Sequence, residues 1–142
     1  MPYRLIYSSE ATGEMTRADL EQMLEESRIR NARRDITGVL VFVDGAFLQV
    51  LEGERSDVED LMERIRRDPR HRDLKVFQEE EIDLRTVPTW RMAYLSPQAE
   101  DVAAWAGLEG ATSVESVLAT LRSDPDRVPR VLVGLVEALA TK

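Results

Sequence analysis

The chain has 142 residues, enough for one domain with its own hydrophobic core, and 43% of them are hydrophobic, as in an ordinary globular protein. Its 19 basic and 27 acidic residues give a net charge of −8, which argues against a broad nucleic-acid-binding surface. Because there is no cysteine and only one histidine, disulfides, thiolate nucleophiles, cysteine-ligated metals and a histidine-rich metal cage are excluded.

The sequence gives no indication of a membrane segment. Its longest apolar runs, such as 39–43 and 131–136, are far shorter than the ~20 residues needed to cross a bilayer. The first residues lack the layout of a signal peptide and lead directly into a strand pattern. We therefore expect a cytoplasmic protein with no membrane partner, no nucleic-acid partner and no metal.

The chain begins with a strand followed by a helix. Residues 3–9 alternate aromatic and aliphatic side chains, which predicts a strand, and Thr16 with Asp19 is typical of the start of a helix. The inward positions of this helix are Leu20, Met23, Leu24, Ser27 and Asn31. Two polar residues therefore lie on a face that should be apolar.

A hairpin and a second helix come next. Residues 36–43 and 47–51 are rich in apolar and β-branched side chains and flank Asp44-Gly45, a strong turn signal. Ser56–Glu59 is typical of a capping box, and Pro69 ends the helix that it begins. The inward positions of this second helix are Val58, Leu61, Met62, Ile65 and Asp68.

Two more strand patterns, at 74–82 and 90–95, complete the order βαββαββ. This order predicts an α+β fold: a ferredoxin-like sandwich with a five-stranded mixed sheet, the first and third strands adjacent in its centre, and both helices on one face. The strands are apolar on both sides, so the second face should be covered as well. We expect a domain of residues 1–96 and a helical cap of residues 97–142, with helices beginning near Thr112 and Val128.

Three polar side chains occupy inward positions on different elements. Gln49 lies in the middle of a central strand, Tyr7 can face it from the neighbouring strand, and Asn31 lies near the end of the first helix. Each has an ordinary structural explanation, as an internally paired amide, a half-buried aromatic and a helix C-cap respectively. Their convergence between sheet and helices favours a mostly apolar slot for a flat heteroaromatic ligand.

A dense basic run extends from Arg64 to Arg72 at the end of the second helix. Cations commonly occupy the C-terminus of a helix as a solvated face. The run is equally compatible with a site for a ligand phosphate or carbonyl. Its histidine, His71, is on its own typical of a surface loop.

Six segments with a distinctive order and spacing extend over roughly residues 3–96. They are Arg4–Ser9, Ser27-Arg28 with Asn31, Ile36–Gly38, Phe47–Gly53, Asp68–His71 and Trp90–Met92. Together they resemble the BLUF domain, a blue-light sensor that uses flavin.

The resemblance implies that FAD, or FMN, is held noncovalently between the two helices. It makes Tyr7 the donor of an electron and a proton, Gln49 the link from this tyrosine to the N5/O4 edge of the flavin, and Asn31 the contact on the O4/N3 side. Trp90 and Met92 would lie on the last strand and report the light state. The implied flavin contacts are Tyr7, Ser27, Asn31, Gln49, Arg64, Ile65, Asp68 and His71.

The implied signal is a rearranged hydrogen-bond network. The oxygen and nitrogen ends of the Gln49 amide have nearly the same shape, so this side chain can rotate or tautomerise after the tyrosine has reacted. A stronger hydrogen bond to O4 would shift the absorption to the red and relax in the dark. Two residues depart from the pattern: Arg30 stands where many members have an additional asparagine, and Asp35 where a glycine is common.

The tail after residue 96 has no cyclase or phosphodiesterase pattern and resembles the capping helices of short, stand-alone BLUF proteins. We therefore expect no enzyme activity, and output through a downstream protein or a homo-oligomer. One alternative is a ferredoxin-like enzyme such as an acylphosphatase, but the loop at 8–13 lacks the arginine that this would need. Another is a regulatory module that binds flavin or another small ligand without photochemistry, against which the presence of both Tyr7 and Gln49 argues.

Overall fold

The computed structural model describes residues 2–13, 16–96, 101–102, 104 and 113–139. Its first part contains, in order, β1 (Tyr3–Ala11), α1 (Arg17–Arg33), β2 (Thr37–Val43), β3 (Ala46–Gly53), α2 (Arg55–Arg67), β4 (His71–Glu81) and β5 (Ala93–Leu95). Its second part contains α3 (Val114–Ser123), a 3-10 turn (Pro125–Arg127) and α4 (Val128–Leu139). The predicted order βαββαββ is therefore confirmed. Thr112 and most of 97–112 lie outside the described residues.

The strands form one sheet in the order β4-β1-β3-β2-β5. β3 lies in the middle and pairs antiparallel with both β1 and β2, while β5 pairs parallel with β2. The predicted five-stranded mixed sheet, with β1 and β3 adjacent in its interior, is confirmed. In the register of β1 and β3, Tyr7 lies opposite Gln49 and Arg4 lies opposite Glu52.

Both faces of the sheet are covered, as predicted. α1 and α2 pack on the first face, which we call the cleft face, and its core includes Leu5, Leu24, Leu40, Leu51, Leu61 and Met62. α3 and α4 pack on the second face, which we call the cap face, and its core includes Ile6, Val41, Leu48, Leu121, Leu132 and Leu135. Because side chains alternate along a strand, one strand supplies both cores.

The helix starts follow the capping signals in one case and depart from them in another. Thr16 caps α1 as predicted, since its hydroxyl accepts from the Asp19 N–H and the Asp19 carboxylate accepts from the Thr16 N–H, both at 3.1 Å. The predicted capping box at Ser56 is wrong. α2 already begins at Arg55, and Glu54 is its N-cap without a side-chain hydrogen bond. The Val58 N–H reaches the Glu54 carbonyl at 3.0 Å, so Ser56 lies inside the first turn.

The last strand is shorter than predicted, and neither Trp90 nor Met92 belongs to it. Long-range partners hold the backbone before it. The Arg91 carbonyl accepts from Asn31 Nδ2 at 2.5 Å, and the Met92 carbonyl accepts from Arg28 Nε at 3.0 Å. Side chains of α1 thus hold the carbonyls of residues 91 and 92, whereas the Trp90 carbonyl accepts from the Gly38 N–H of β2 at 3.0 Å.

A buried ion pair lies on the cap face between β1 and β3. Arg4 Nε donates to Glu52 Oε2 at 2.8 Å, and Glu52 is fully buried. The other carboxylate oxygen accepts the backbone N–H groups of Thr86 and Val87 at 2.8 and 2.7 Å. Glu52 thus links the connection between β4 and β5 to the middle of the sheet.

Among the helices of the described residues, none has the length and hydropathy of a membrane-spanning segment.

Candidate functional site

A narrow cleft separates the cleft face of the sheet from α1 and α2. Its empty volume is about 570 Å³, which includes the open solvent at its mouth. Tyr7 and Gln49 lie on its floor, Asn31 and Ser27 line it from α1, and Ile65, Asp68 and His71 line it from the region where α2 leads into β4. The structure thus brings together seven of the eight predicted flavin contacts.

Tyr7 and Gln49 form a hydrogen-bonded pair at the floor of this cleft. The Tyr7 hydroxyl donates to Gln49 Oε1, and the two side chains are among the buried residues of the sheet. Burial raises the pKa of the Tyr7 phenol well above its usual value, and the negative charge of Asp68 raises it further. The phenol therefore stays protonated at neutral pH and can donate only one hydrogen bond.

The two ends of the Gln49 amide have unequal partners. Its oxygen accepts from a phenol, whereas its Nε2 donates to the thioether Sδ of Met92 at 3.3 Å. A thioether is a weak acceptor. Rotation of the amide would therefore exchange one strong and one weak hydrogen bond, which gives this side chain two distinguishable arrangements in the same space. Met92 lines the cleft from outside β5, the strand on which it was predicted to lie.

Asn31 lines the cleft and carries an unsatisfied acceptor. It is fully buried, its Nδ2 donates to the Arg91 carbonyl, and its Oδ1 has no hydrogen-bond partner among the described residues. The C-cap of α1 is Arg34, so Asn31 does not have the C-cap role that was its ordinary explanation. A buried acceptor without a partner costs about 1–3 kcal/mol. A ligand N–H at this position would remove that cost, so the residues present fit a heteroaromatic ring with a donor on its edge.

Ser27 has a partner of its own. Its hydroxyl donates to the Met23 carbonyl one turn earlier at 2.8 Å, while the side chain still lines the cleft. The serine therefore contributes a small side chain that leaves room next to the floor. Ser9 Oγ, in contrast, is buried without a partner among the described residues.

The wall of the cleft across from α1, where α2 leads into β4, carries charged side chains. Asp68 holds Arg70 by a two-pronged ion pair, with Nε at 2.9 Å from Oδ1 and Nη2 at 2.5 Å from Oδ2. These hydrogen bonds lower the pKa of the Asp68 carboxyl and raise the pKa of the Arg70 guanidinium. His71 is the first residue of β4 rather than a loop residue. Its Nε2 lies 2.6 Å from the Ile65 carbonyl, and because a carbonyl only accepts, this nitrogen carries the proton.

Two predicted residues lie away from the cleft. Arg64 is exposed and lines the surface depressions beside the mouth rather than the cleft itself. Trp90 packs against the core of the cap face, on the other side of the sheet. The helical spacing alone could not place Arg64, because a long side chain at the edge of the inward stripe can point either way.

Several residues that line the cleft are not among the predicted contacts. Leu40 and Phe47 share the sheet face of Tyr7 and Gln49, so strand alternation could have identified them. Arg30 was noted only as a departure from a family pattern, yet it lines the cleft and its Nε is buried without a partner among the described residues. The residues that the structure describes contain no cluster of three or more side chains that could bind a metal ion.

Comparison with known proteins agrees with this geometry. A profile of the BLUF family, "Sensors of blue-light using FAD", matches residues 3–93. The photoactivated adenylate cyclase subunit beta of Euglena gracilis is 41% identical over 85 residues, which are 60% of this chain and 10% of that protein. The chain therefore spans about a tenth of the length of this relative.

Two solved structures cover most of the chain. The dark-state structure of BlrB, a BLUF protein, superposes with a TM-score of 0.68 and 32% identity, covering 86% of this chain and 92% of that one. The photo-activated state of BlsA gives a TM-score of 0.72 and 30% identity over 87% and 94% of the two chains. The family profile covers well over half of the sequence, and its fold is the one observed. The chain belongs to the BLUF family of blue-light sensors that use flavin.

Proposed function

We propose that this protein senses blue light through a flavin held noncovalently in the cleft, with FAD as the first choice and FMN as the alternative. The observation that carries the proposal is the buried Tyr7–Gln49 pair at the cleft floor, next to the unsatisfied Oδ1 of Asn31. A phenol, a rotatable amide and a spare acceptor are the groups that can read the edge of a heteroaromatic ring.

Five residues would hold the ring in particular. The Asn31 oxygen would accept from a ring N–H, and the Gln49 amide would face the neighbouring ring edge. Ser27 and Ile65 would line the ring plane, and His71, already oriented by the Ile65 carbonyl, would close the far side. Asp68 would act indirectly, by holding the Arg70 guanidinium in position beside the cleft.

When bound, a flavin supplies absorption of blue light and a strongly oxidising excited state. Tyr7 would then give up an electron and a proton, the proton leaving along its hydrogen bond to Gln49, and both would return to the phenol before the lit state is established. Between these events the Gln49 amide rearranges and exchanges its partners. The lit state would therefore differ from the dark state in hydrogen bonds alone.

The rearrangement has a structural route out of the cleft. Gln49 contacts Met92, and Asn31 holds the neighbouring Arg91 carbonyl, so both lead to the segment before β5. We propose that this segment changes with light and that a downstream protein, or a second copy of the chain, reads the change. We further propose that residues 1–96 sense the light, that residues 97–142 form a cap, and that the chain is not an enzyme. The cytoplasmic location remains a prediction.

The purified protein tests the proposal directly. It should be yellow, and blue light should shift its visible absorption band to the red, reversibly in the dark. Tyr7→Phe and Gln49→Leu should each retain flavin and lose the shift. Tyr3→Phe is the matched control, because Tyr3 lies on the same strand and face without lining the cleft, and it should keep the shift.

Three results would contradict parts of this proposal. Colourless protein that takes up no added flavin would refute the flavin site. Yellow protein that does not respond to light would favour a regulatory module without photochemistry. A normal light-induced shift in Tyr7→Phe would exclude Tyr7 as the donor.

A further inference from the structure

The mouth of the cleft contains an arginine that the proposed light reaction does not use. Arg30, near the end of α1, lines both the cleft and the surface depression beside it. Its Nε is buried and has no hydrogen-bond partner among the described residues. A buried guanidinium donor without a partner is unfavourable, because the group remains charged and loses its water. Arg30 as a whole is only partly buried, so the guanidinium can be approached by a partner from outside the chain.

The charges around Arg30 leave it uncompensated. Two further arginines lie near it, Arg64 in α2 and Arg70 in the turn before β4, and both disfavour its charged form. Two carboxylates also face it, from Glu26 and Asp68. Asp68 is already engaged by Arg70 through both oxygens.

Glu26 does not neutralise the site either. Across the residues that the structure describes, no carboxylate oxygen lies within 4.0 Å of the Arg30 or Arg64 nitrogens, so neither arginine has an ion pair. Burial, followed by Arg64, lowers the pKa of the Arg30 guanidinium, and Glu26 offsets this only in part. The mouth therefore carries an excess of positive charge between the two helices, where a ligand must enter.

The chemistry of a flavin nucleotide matches this arrangement. Its ring is uncharged and would lie at the cleft floor beside Tyr7 and Gln49, so its ribityl chain would leave through the open mouth. The phosphate at the end of that chain carries a charge of about −1.5 to −2 at neutral pH in FMN. A planar guanidinium binds such a group through charge-assisted hydrogen bonds.

We propose that Arg30 binds the phosphate of a flavin nucleotide at the mouth of the cleft, with Arg64 contributing from the facing helix. This inference rests on the proposed flavin site and adds a selection rule to it. The protein prefers FMN and FAD to riboflavin, which has the same ring without a phosphate.

Titration of the flavin-free full-length protein with riboflavin, FMN and FAD tests this rule. In the wild type, FMN and FAD should bind more tightly than riboflavin, and only their affinities should fall as salt is added. Arg30→Gln should weaken FMN and FAD binding about tenfold to a hundredfold and leave riboflavin unchanged. Arg66→Gln removes the same charge from an exposed position that lines neither the cleft nor its depressions, and should change none of the three.

A second readout does not depend on the ligand. Because Arg30 is an uncompensated charge in the flavin-free protein, Arg30→Gln should raise its melting temperature, whereas Arg66→Gln should not. Arg30→Lys keeps the positive charge but lacks the planar guanidinium, and it should retain part of the preference for nucleotides that Arg30→Gln loses.

Several outcomes would overturn the inference. Equal loss of riboflavin and FMN binding in Arg30→Gln would show that Arg30 contacts the ring instead. Wild-type protein that binds riboflavin as tightly as FMN at low salt would exclude a phosphate contact without any variant, even if Arg30→Gln fails to fold. Failure of the wild type to bind any of the three flavins would refute the proposed function, and this inference with it.

Discussion

The Tyr7 hydroxyl and the Gln49 amide satisfy each other where almost no water reaches, so removing either group should harm the other. Tyr7 is 4% exposed and Gln49 is 7% exposed. Tyr7→Phe deletes only the hydroxyl and leaves the Gln49 oxygen without its donor. Gln49→Leu removes the acceptor and leaves the phenol buried with no partner. The double variant removes both polar ends and leaves neither group unpaired.

The size of the effect follows from this geometry. Each single variant leaves one buried polar group unpaired, which lowers the free energy of unfolding by about 1–3 kcal/mol. The double variant should lose less than the sum of the two, with a coupling energy of about 1–2 kcal/mol. Urea unfolding of the flavin-free protein measures all four free energies, and the absence of ligand avoids stabilisation by mass action.

A control pair makes this cycle decisive. Tyr3 lies opposite Gly53, four positions along the strand from Gln49, which is roughly 13 Å. Tyr3→Phe combined with Gln49→Leu should therefore be additive. If Tyr7→Phe and Gln49→Leu were also additive to within about 0.5 kcal/mol, the two side chains would not depend on each other, and the reasoning behind the site would fail.

Three further predictions concern the frame of the site. Glu52→Ala strands a buried guanidinium and should lower the free energy of unfolding in urea by about 3–5 kcal/mol. Hydrogen bonds from Arg70 hold the pKa of Asp68 below its usual 3.8, so this carboxylate stabilises the fold above that pH and loses its effect as the pH falls through the lower folded value. Thermal melts should therefore show Asp68→Asn less stable than wild type near neutral pH, with the difference shrinking below pH 3.8. Gly38→Ala places a methyl carbon 2.8 Å from Met92 Cε and 2.9 Å from a backbone oxygen, and should cost about 1–3 kcal/mol in the same urea assay.

Each of these has a result that would count against it. A Glu52→Ala protein as stable as wild type would mean that the ion pair adds nothing to the fold. A difference for Asp68→Asn that grows towards acid pH would reverse the assigned sign. Gly13→Ala, whose new carbon meets nothing within 4 Å, is the control for Gly38→Ala, and equal effects of the two would rule out the close contact as the cause.

The sequence predicted those parts of the fold that depend on local pattern and strand alternation. Alternation placed Tyr7 and Gln49 on the same face, and the β1–β3 register brings them opposite each other. Capping chemistry located the start of α1 at Thr16. The predicted start of α2 was wrong because the helix begins with the backbone hydrogen bond from Val58 to Glu54, before the Ser56 that was predicted to cap it.

Long-range contacts explain the remaining differences. Residues 90–92 have a strand-like composition, but the Arg91 and Met92 carbonyls accept from Asn31 and Arg28, which lie about sixty positions earlier. No local pattern reports such a partner. The place of Arg30 was equally hidden, because its importance comes from the charges that the folded chain brings around it rather than from its neighbours in sequence.

The pairing of Arg4 with Glu52 has a consequence at a distance. These two residues face each other across β1 and β3, three positions along from Tyr7 and Gln49. A shift of one residue between β1 and β3 would place Tyr7 and Gln49 on opposite faces of the sheet. It would also separate Arg4 from Glu52 and leave both charges unpaired in the protein interior. The Arg4–Glu52 pair on the cap face therefore favours the one strand register that also pairs Tyr7 with Gln49 on the cleft face.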